Sequence, residues 1–429
     1  MRILWVSNSP IGPAADILNQ TYGGSSGGWI QSEYEKFDNK KGNAEFFFLS
    51  TLASVKKNDV LKKTGDKGTL YCINAPRIQY GIIPSRRVID LIEGIIQEIH
   101  PDIIQIWGTE TWLSYAVSCC LPSIPKVIFI QGLIGMHQRY LGGYFGNMPI
   151  DKNFNKNIPL FSRLKEMIRR VNFKKQASIE AKTLCNCGNV ITDNDFSKAF
   201  CESVSSNINC FEHSLEPNKV FFTRHWEAEK CNRFSVFTVY GSSAEKGTQN
   251  LLKALSILKK SFPDIELVIP GPYAINSEGR LSSQSKDSFQ IVLQNMISSL
   301  GLENNVRFTG KLNPVQMSDE MVKANIFVNP SCMEVHALSL REAMAVGVPC
   351  VSSMCGSVNG YLKHGYNGFI YRYEEYEVLA FYIKKLFENI ILEKEISENA
   401  VKTMQTTNDN SLSLEKIYAQ IIRSGEAVK

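Results

Sequence analysis

Hydrophobic and polar positions along the chain form two successive series of short apolar runs alternating with helically spaced segments. In the first series, Ile3–Ser7 predicts a strand. A loop rich in Gly and Ser follows (Gly23, Gly24, Gly27, Gly28), then helical sequence from Trp29. Phe46–Ser50 predicts a second strand. Val88, Ile89, Leu91, Ile92, Ile95, Ile96 and Ile99 recur at helical spacing, so 88–100 predicts a helix that Pro101 ends. Ile103–Trp107, Val127–Ile130 and Asn189–Asp193 predict further strands. Phe211–Arg233 has no clear period and predicts a connection.

The second series is cleaner. Phe234–Tyr240, Ile265–Ile269, Val306–Thr309, Ile326–Asn329 and Pro349–Ser353 predict strands. Helices are predicted over Thr248–Lys260, over Ser288–Leu300, up to Ala324, and from about Leu338 to a stop at Gly347. Two or three helices close the chain, the last carrying Leu414, Ile417, Tyr418, Ile421 and Ile422. Strands alternating with helices predict parallel, doubly wound α/β sheets. The expected organisation is a domain over 1–215, a connection over 216–233 and a second domain over 234–407. A last helix over about 408–429 is expected to cross back to the first.

At 429 residues, 44% hydrophobic and 21% charged, the composition excludes disorder, collagen and coiled coil. A net charge of +5 is too weak to imply a nucleic-acid partner. That charge is concentrated: residues 151–182 hold nine Lys or Arg against three acids, interleaved with Leu160, Phe161, Leu164, Ile168, Val171 and Phe173. A solvated helix covering the domain edge fits this, and so does a basic amphipathic surface resting on anionic lipid, over 152–182. The apolar run at the start is too short for a signal peptide and reads as a first strand. No window approaches the roughly 18 apolar residues of a spanning helix. The eleven cysteines are scattered without a C-x-x-C, which suits reduced thiols in the cytosol and no metal site.

In open α/β sheets, ligands bind beyond the carboxyl ends of strands. Three such loops stand out. Tyr240-Gly241-Ser242-Ser243-Ala244-Glu245-Lys246-Gly247-Thr248 resembles a phosphate loop, but Lys246 precedes Gly247, which is the wrong order for a Walker A site. A lysine beside a helix N-terminus still makes an anion site, although a solvated loop lysine would look the same. In the second loop, Glu334 and Glu342 flank the start of a helix near Leu338 and Ser339. Helix amides suit a phosphate, and a carboxylate suits the vicinal diol of a ribose. In isolation the two acids read equally as surface residues or helix-dipole partners. Val306-Arg307-Phe308-Thr309-Gly310-Lys311-Leu312, a strand into a Gly turn, says little alone.

Together these residues resemble the GT-B fold, family 4, retaining glycosyltransferases. The pattern is E-x7-E (Glu334, Glu342), then Ala343-Met344-Ala345-x-Gly347-x-Pro349. A strand with Lys246-Gly247, "VRFTG", "IFVNPS" and "GYLKHGYNGFIY" accompany it in the family's order. The resemblance is close over Phe234 to about Asn399. It extends to the first half at Gly27-Gly28-Trp29, "PDIIQIWGTE" (Pro101–Glu110), "FIQGL" (Phe129–Leu133) and "ITDNDFSKAF". These look like a subset that builds bacterial surface polysaccharides such as capsule and O-antigen.

The resemblance implies two Rossmann-like domains facing across a cleft, the first binding acceptor and the second donor. It implies that Lys246 stabilises the leaving diphosphate, that Glu334 contacts the donor sugar and that Glu342 holds the ribose. Backbone at Ala337, Leu338 and Ser339 would cradle phosphates and sugar, with Gly241, Ser242 and Gly271 also on the donor side. Backbone near Lys311 and Leu312 would meet the base. Gly27, Gly28, Gln131 and Gly132 would lie on the acceptor side. The implied partners are a nucleotide-sugar, UDP-linked by family precedent, and a lipid-linked oligosaccharide. No cofactor and no metal is implied. The chain departs from the family pattern in three places. Gly241 stands where many members carry Arg, five residues before the Lys. His336-Ala337 replaces a common Phe-Gly, and Gln131 replaces a common His. Arg224, Arg341 or a backbone amide are candidate replacements for the missing cation. A catalytically impaired homologue acting as a binding module, and a GT-B epimerase or phosphorylase, are the competing functions.

Overall fold

The computed structural model describes residues 1–18, 28–38, 44–141, 160–238, 241, 243–273, 275–281, 288–406 and 412–426. Two sheets organise them. The first contains β1 (Arg2–Val6), β2 (Glu45–Leu52), β3 (Val60–Gly65), β4 (Gly68–Asn74), β5 (Ile103–Trp107), β6 (Lys126–Phe129), β7 (Asn189–Thr192) and β8 (Asn209–Glu212). Their order is β3-β4-β2-β1-β5-β6-β7-β8, and only β3 runs antiparallel to its neighbour. The second sheet contains β9 (Ser235–Thr238), β10 (Glu266–Pro270), β11 (Val306–Gly310), β12 (Ile326–Asn329), β13 (Cys350–Ser353) and β14 (Phe369–Tyr371). It is wholly parallel, in the order β11-β10-β9-β12-β13-β14.

The apolar runs explain this architecture. Parallel strands are covered on both faces, so they need side chains that tolerate burial on both. Ile103, Ile104 and Ile106 of β5 and Val127, Ile128 and Phe129 of β6 are fully buried. The helix Arg86–Ile99 seats Ile92, Ile95, Ile96 and Ile99 against this sheet and ends at His100 in the left-handed region.

The structure adds elements that the pattern does not show. The β3–β4 hairpin is new: β3 is an almost wholly exposed edge without apolar alternation. The stretch 211–233 is more than a connection. Its first residues complete β8, and Lys219–Phe222 forms a 3-10 turn. Phe221, Trp226, Ala228 and Cys231 then pack with Phe237, Leu340 and Met344 of the second domain. Trp226 donates its backbone N–H to Val346 O (2.9 Å) and Nε1–H to Ala324 O (2.8 Å). The helix Leu414–Glu426 lies on the first sheet, where Trp5 Nε1–H donates to Tyr418 Oη (3.0 Å) and Tyr418 Oη–H donates to Gln105 Oε1. The chain therefore crosses between the sheets twice, and their carboxyl ends face each other.

Candidate active site

A cleft of about 700 Å³ separates the strand ends of the two sheets. One wall comes from the second domain. Lys246 ends a 3-10 turn (Ala244–Lys246) ahead of the helix Thr248–Leu258. Gly247, at φ 73°, sets that turn, and a Cβ there would meet Pro330 O at 1.8 Å. Lys246 Nζ lies 2.7 Å from Glu334 Oε1. Burial works against both charges, but each outweighs it for the other, so Lys246 is held above its ordinary pKa and Glu334 below. Gly356, in the left-handed region, presses on the Glu334 backbone and fixes this loop.

The helix Leu338–Val346 points its N-terminus into the cleft, where Ala337, Leu338, Ser339, Leu340 and Glu342 line the wall. Its cap, Ala337, has no side-chain acceptor for the first amides, which keeps them available to an anion. Burial pushes the Glu342 carboxyl up to about 8 against the pull of Arg341. Gly271, Lys311 and Leu312, from the ends of β10 and β11, complete this side.

The opposite wall comes from the first domain. Gln131 follows β6 and lines the cleft, its Nε2 without a hydrogen-bond partner. Trp29 and Ser32 reach the cleft from the helix Gly28–Asp38, while Gly28, at the start of that helix, is not among the described residues lining it. Gly27 and Ser242 lie outside the described residues.

Two further cleft residues escape the sequence reading. Glu110 follows β5, and Cβ atoms on Gly108 and Gly132 would lie 2.0 and 2.6 Å from its carboxylate oxygens. The chain forgoes two side chains to seat that carboxyl. Burial pushes it up to about 7, and Glu180 adds to the shift. His137 ends the helix Ile134–His137, and burial, reinforced by Lys246, holds it below its ordinary pKa. Glu180 anchors that helix by accepting from Ile134 N (3.0 Å), Gly135 N (2.7 Å) and Thr109 Oγ1 (2.5 Å). The available signal was position at a strand end.

A buried polar latch joins the walls. His336 Nδ1 lies 2.9 Å from Asp193 Oδ1, beyond β7, and Nε2 lies 2.6 Å from Ile130 O. Arg341, fully buried, lies 3.6 Å from Asp193 Oδ2 and donates to Ser214 Oγ (3.0 Å). Burial opposes these charges, but pairing holds Asp193 below and His336 above their ordinary values.

Residues 225–403 match the sequence profile of the family described as glycosyl transferases group 1. An uncharacterized glycosyltransferase of Haemophilus influenzae is 29% identical over 172 residues, 40% of this chain and 44% of that relative. The sucrose-phosphate synthase of Thermosynechococcus elongatus superposes over 100% of this chain and 99% of that one, with TM-score 0.71 and 14% identity. Anabaena Alr3699/HepE, solved in complex with UDP and glucose, covers 100% of both chains with TM-score 0.61 and 17% identity. Residues 225–403 belong to the group 1 glycosyl transferases. The two-domain fold is GT-B. The chain spans under half the length of the curated relatives it matches.

The departures from the family pattern have physical reasons in this fold. No space is kept for a side chain at Gly241: a Cβ would meet Thr248 Oγ1 at 2.5 Å, and Tyr273 Oη–H donates to Gly241 O. Neither suggested arginine replaces the missing cation. Arg224 pairs with Asp319 (3.2 Å), and Arg341 is spent on Asp193. Among the described residues, Lys246 and Lys311 are the Lys and Arg side chains lining the cleft. His336 stands where the family has Phe because it reaches across to Asp193 and Ile130. Ala337 stands where the family has Gly, yet sits at φ 45° in the left-handed region. Among the described residues, no three His, Cys, Asp or Glu side chains gather as metal ligands. No helix among them is long and apolar enough to cross a membrane.

Proposed function

We propose that this protein is a retaining, metal-independent glycosyltransferase. It moves a sugar from a UDP-linked donor to a growing, lipid-linked oligosaccharide in surface-polysaccharide biosynthesis, on the cytoplasmic face of a membrane. The observation that carries this reading is the Lys246–Glu334 pair beside the uncapped amides at Leu338. It is a cation and a dipole converging where a diphosphate would sit.

The chemistry follows from charge. The anomeric C–O bond breaks, the electron pair stays with the diphosphate, and the sugar becomes oxocarbenium-like. Lys246 and the helix amides stabilise the new charge without a metal. Glu334, relieved of Lys246, accepts from the sugar hydroxyls, and Glu342 holds the ribose diol. The acceptor hydroxyl attacks on the face the phosphate leaves and passes its proton to a departing phosphate oxygen. That balance needs no protein nucleophile. The wall at Gln131 and Gly132 receives the acceptor, and the basic segment 152–182 brings it to an anionic membrane. The closed Gly241 loop favours one alternative, a catalytically impaired homologue, because it leaves one cation fewer at the diphosphate.

The test is turnover of UDP-glucose against a bacterial lipid extract in EDTA, with UDP release and the product's anomeric configuration read by proton NMR. An α-linked product unaffected by EDTA is expected. An inverted product, or turnover lost to chelation, overturns the mechanism. UDP binding without turnover across UDP-sugars moves the reading to the impaired homologue.

A further inference from the structure

The helix Leu160–Cys187 is the longest in the described chain, and its two faces do different things. At 100° per residue, Arg169, Phe173, Gln176, Glu180 and Leu184 share one face. Phe173, Gln176, Glu180 and Leu184 are buried against the first domain. The opposite face carries Leu164, Met167, Ile168 and Val171 at i, i+3, i+4 and i+7, and these are 47–59% exposed. An apolar stripe presented to water on a helix whose other face is already buried is an interaction surface.

A second element with exposed apolar side chains packs on the same helix. Gly81 N–H donates to Gln176 Oε1 (2.9 Å), and Tyr80 packs its ring on Phe173, which holds the loop before Arg86 against the helix. Ile78 and Ile83 on that loop are 53% and 66% exposed. Lys174 and Lys175 on the helix, Arg77 beside Ile78 on the loop and Arg87 just after it are exposed cations. The same loop abuts the acceptor wall, since Trp112 Nε1–H donates to Gln79 Oε1 (3.2 Å) two residues after Glu110. Exposed apolar side chains on elements that also carry exposed cations match a bilayer with anionic headgroups.

The inner face touches the donor wall. Arg169 Nη2 lies 3.2 Å from Glu245 Oε1, and Glu245 is buried in the 3-10 turn that ends at Lys246. Whatever fixes the outer face of this helix therefore also fixes a brace on the donor loop.

We propose that this helix is a bilayer-seated brace: its stripe docks on an anionic membrane, and Arg169 transmits that seating to the Lys246 loop, so that docking tightens nucleoside diphosphate binding. The inference rests on the donor reading above and adds regulation to it.

The experiment measures two quantities separately. Co-sedimentation with phosphatidylcholine vesicles, with or without phosphatidylglycerol, reads docking. Titration with UDP, with and without the same vesicles, reads the brace. The wild type is expected to sediment only with phosphatidylglycerol vesicles and to bind UDP about fivefold tighter on them. Met167→Glu with Ile168→Glu changes exposed residues only. It is expected to lose docking at least about tenfold and to bind UDP in solution as the wild type does. Arg169→Gln is expected to dock normally and lose the vesicle-dependent gain. Docking with unchanged UDP affinity overturns the brace. Docking that survives the double glutamate variant, or no docking at all, overturns the seat. No UDP binding in any variant, with docking intact, overturns the donor reading instead.

Discussion

The two walls of this cleft, donor and acceptor on the proposed reading, are assembled differently. The donor wall is local: Glu334, Ala337, Leu338, Ser339 and Glu342 arrive within nine residues, and Lys246 enters from one further loop. The acceptor wall is dispersed: Trp29, Glu110, Gln131 and His137 come from the ends of separate elements. The donor wall holds a charge pair, Lys246 on Glu334, which on the proposed mechanism a diphosphate would exchange into. The acceptor wall holds an uncharged or half-charged carboxyl and an unpaired amide, suited to neutral hydroxyls.

The sharpest way to break this contrast is Lys246→Ala. If the donor wall works by charge, UDP affinity and turnover fall together, the rate by about 10²–10³, equivalent to roughly 3–4 kcal/mol. Parallel UDP titration and turnover assays check it. The latch gives the next largest effect. His336→Gln leaves Asp193 with Arg341 but removes the charge that ties the walls, and is expected to cost about 2–3 kcal/mol of stability in denaturant unfolding.

Glu110→Gln is the corresponding test on the acceptor wall. It removes an acceptor for a sugar hydroxyl, at about 1–2 kcal/mol, so it should raise KM for the acceptor about tenfold and leave UDP affinity unchanged. A loss of UDP affinity would erase the division between walls. Glu110 also has a pH signature. Its folded pKa of about 7 stands above the usual 4.5, as do those of Glu180 at about 7 and Glu342 at about 8. Between pH 4.5 and 8 these three carboxyls bind more protons in the folded chain than in the unfolded one, so their contribution to stability falls as pH rises, opposed only in part by His137, whose pKa is lowered. His336 acts in the same direction, since its raised pKa contributes stability that is lost as pH rises through it. Melting midpoints should fall from pH 5 to 8, less steeply in Glu110→Gln.

The smallest effect is Ala337→Gly. Relieving φ 45° regains about 1–2 kcal/mol, offset by the freedom glycine loses on folding, for a net gain of roughly 0.5–1 kcal/mol. A slightly raised midpoint with UDP binding preserved is expected from thermal melts.

The same contrast explains what was legible in the sequence. The runs 103–107 and 326–329 become strands with those bounds because a doubly covered strand writes itself as a continuous apolar run. The E-x7-E segment was readable because its chemistry is contiguous. The edge strand β3 was not, since an exposed edge carries no apolar alternation. Glu110 was quoted only as part of a strand-end motif, because its role depends on Gly108 and on Gly132 of a neighbouring loop. The His336–Asp193 pair spans 143 positions, and no local period reports such a contact. Arg224 and Arg341 illustrate the reverse case. Both looked available as cations, and tertiary pairing uses them elsewhere.

The central claim is that Lys246 and the Leu338 amides form a metal-independent diphosphate site. Calorimetric titration of UDP in EDTA, on wild type and on Lys246→Ala, tests it most directly. The account predicts saturable binding to the wild type without metal and binding weakened at least about tenfold in the variant. Equal affinity for both proteins, or binding that appears only when a divalent cation is added, would contradict it.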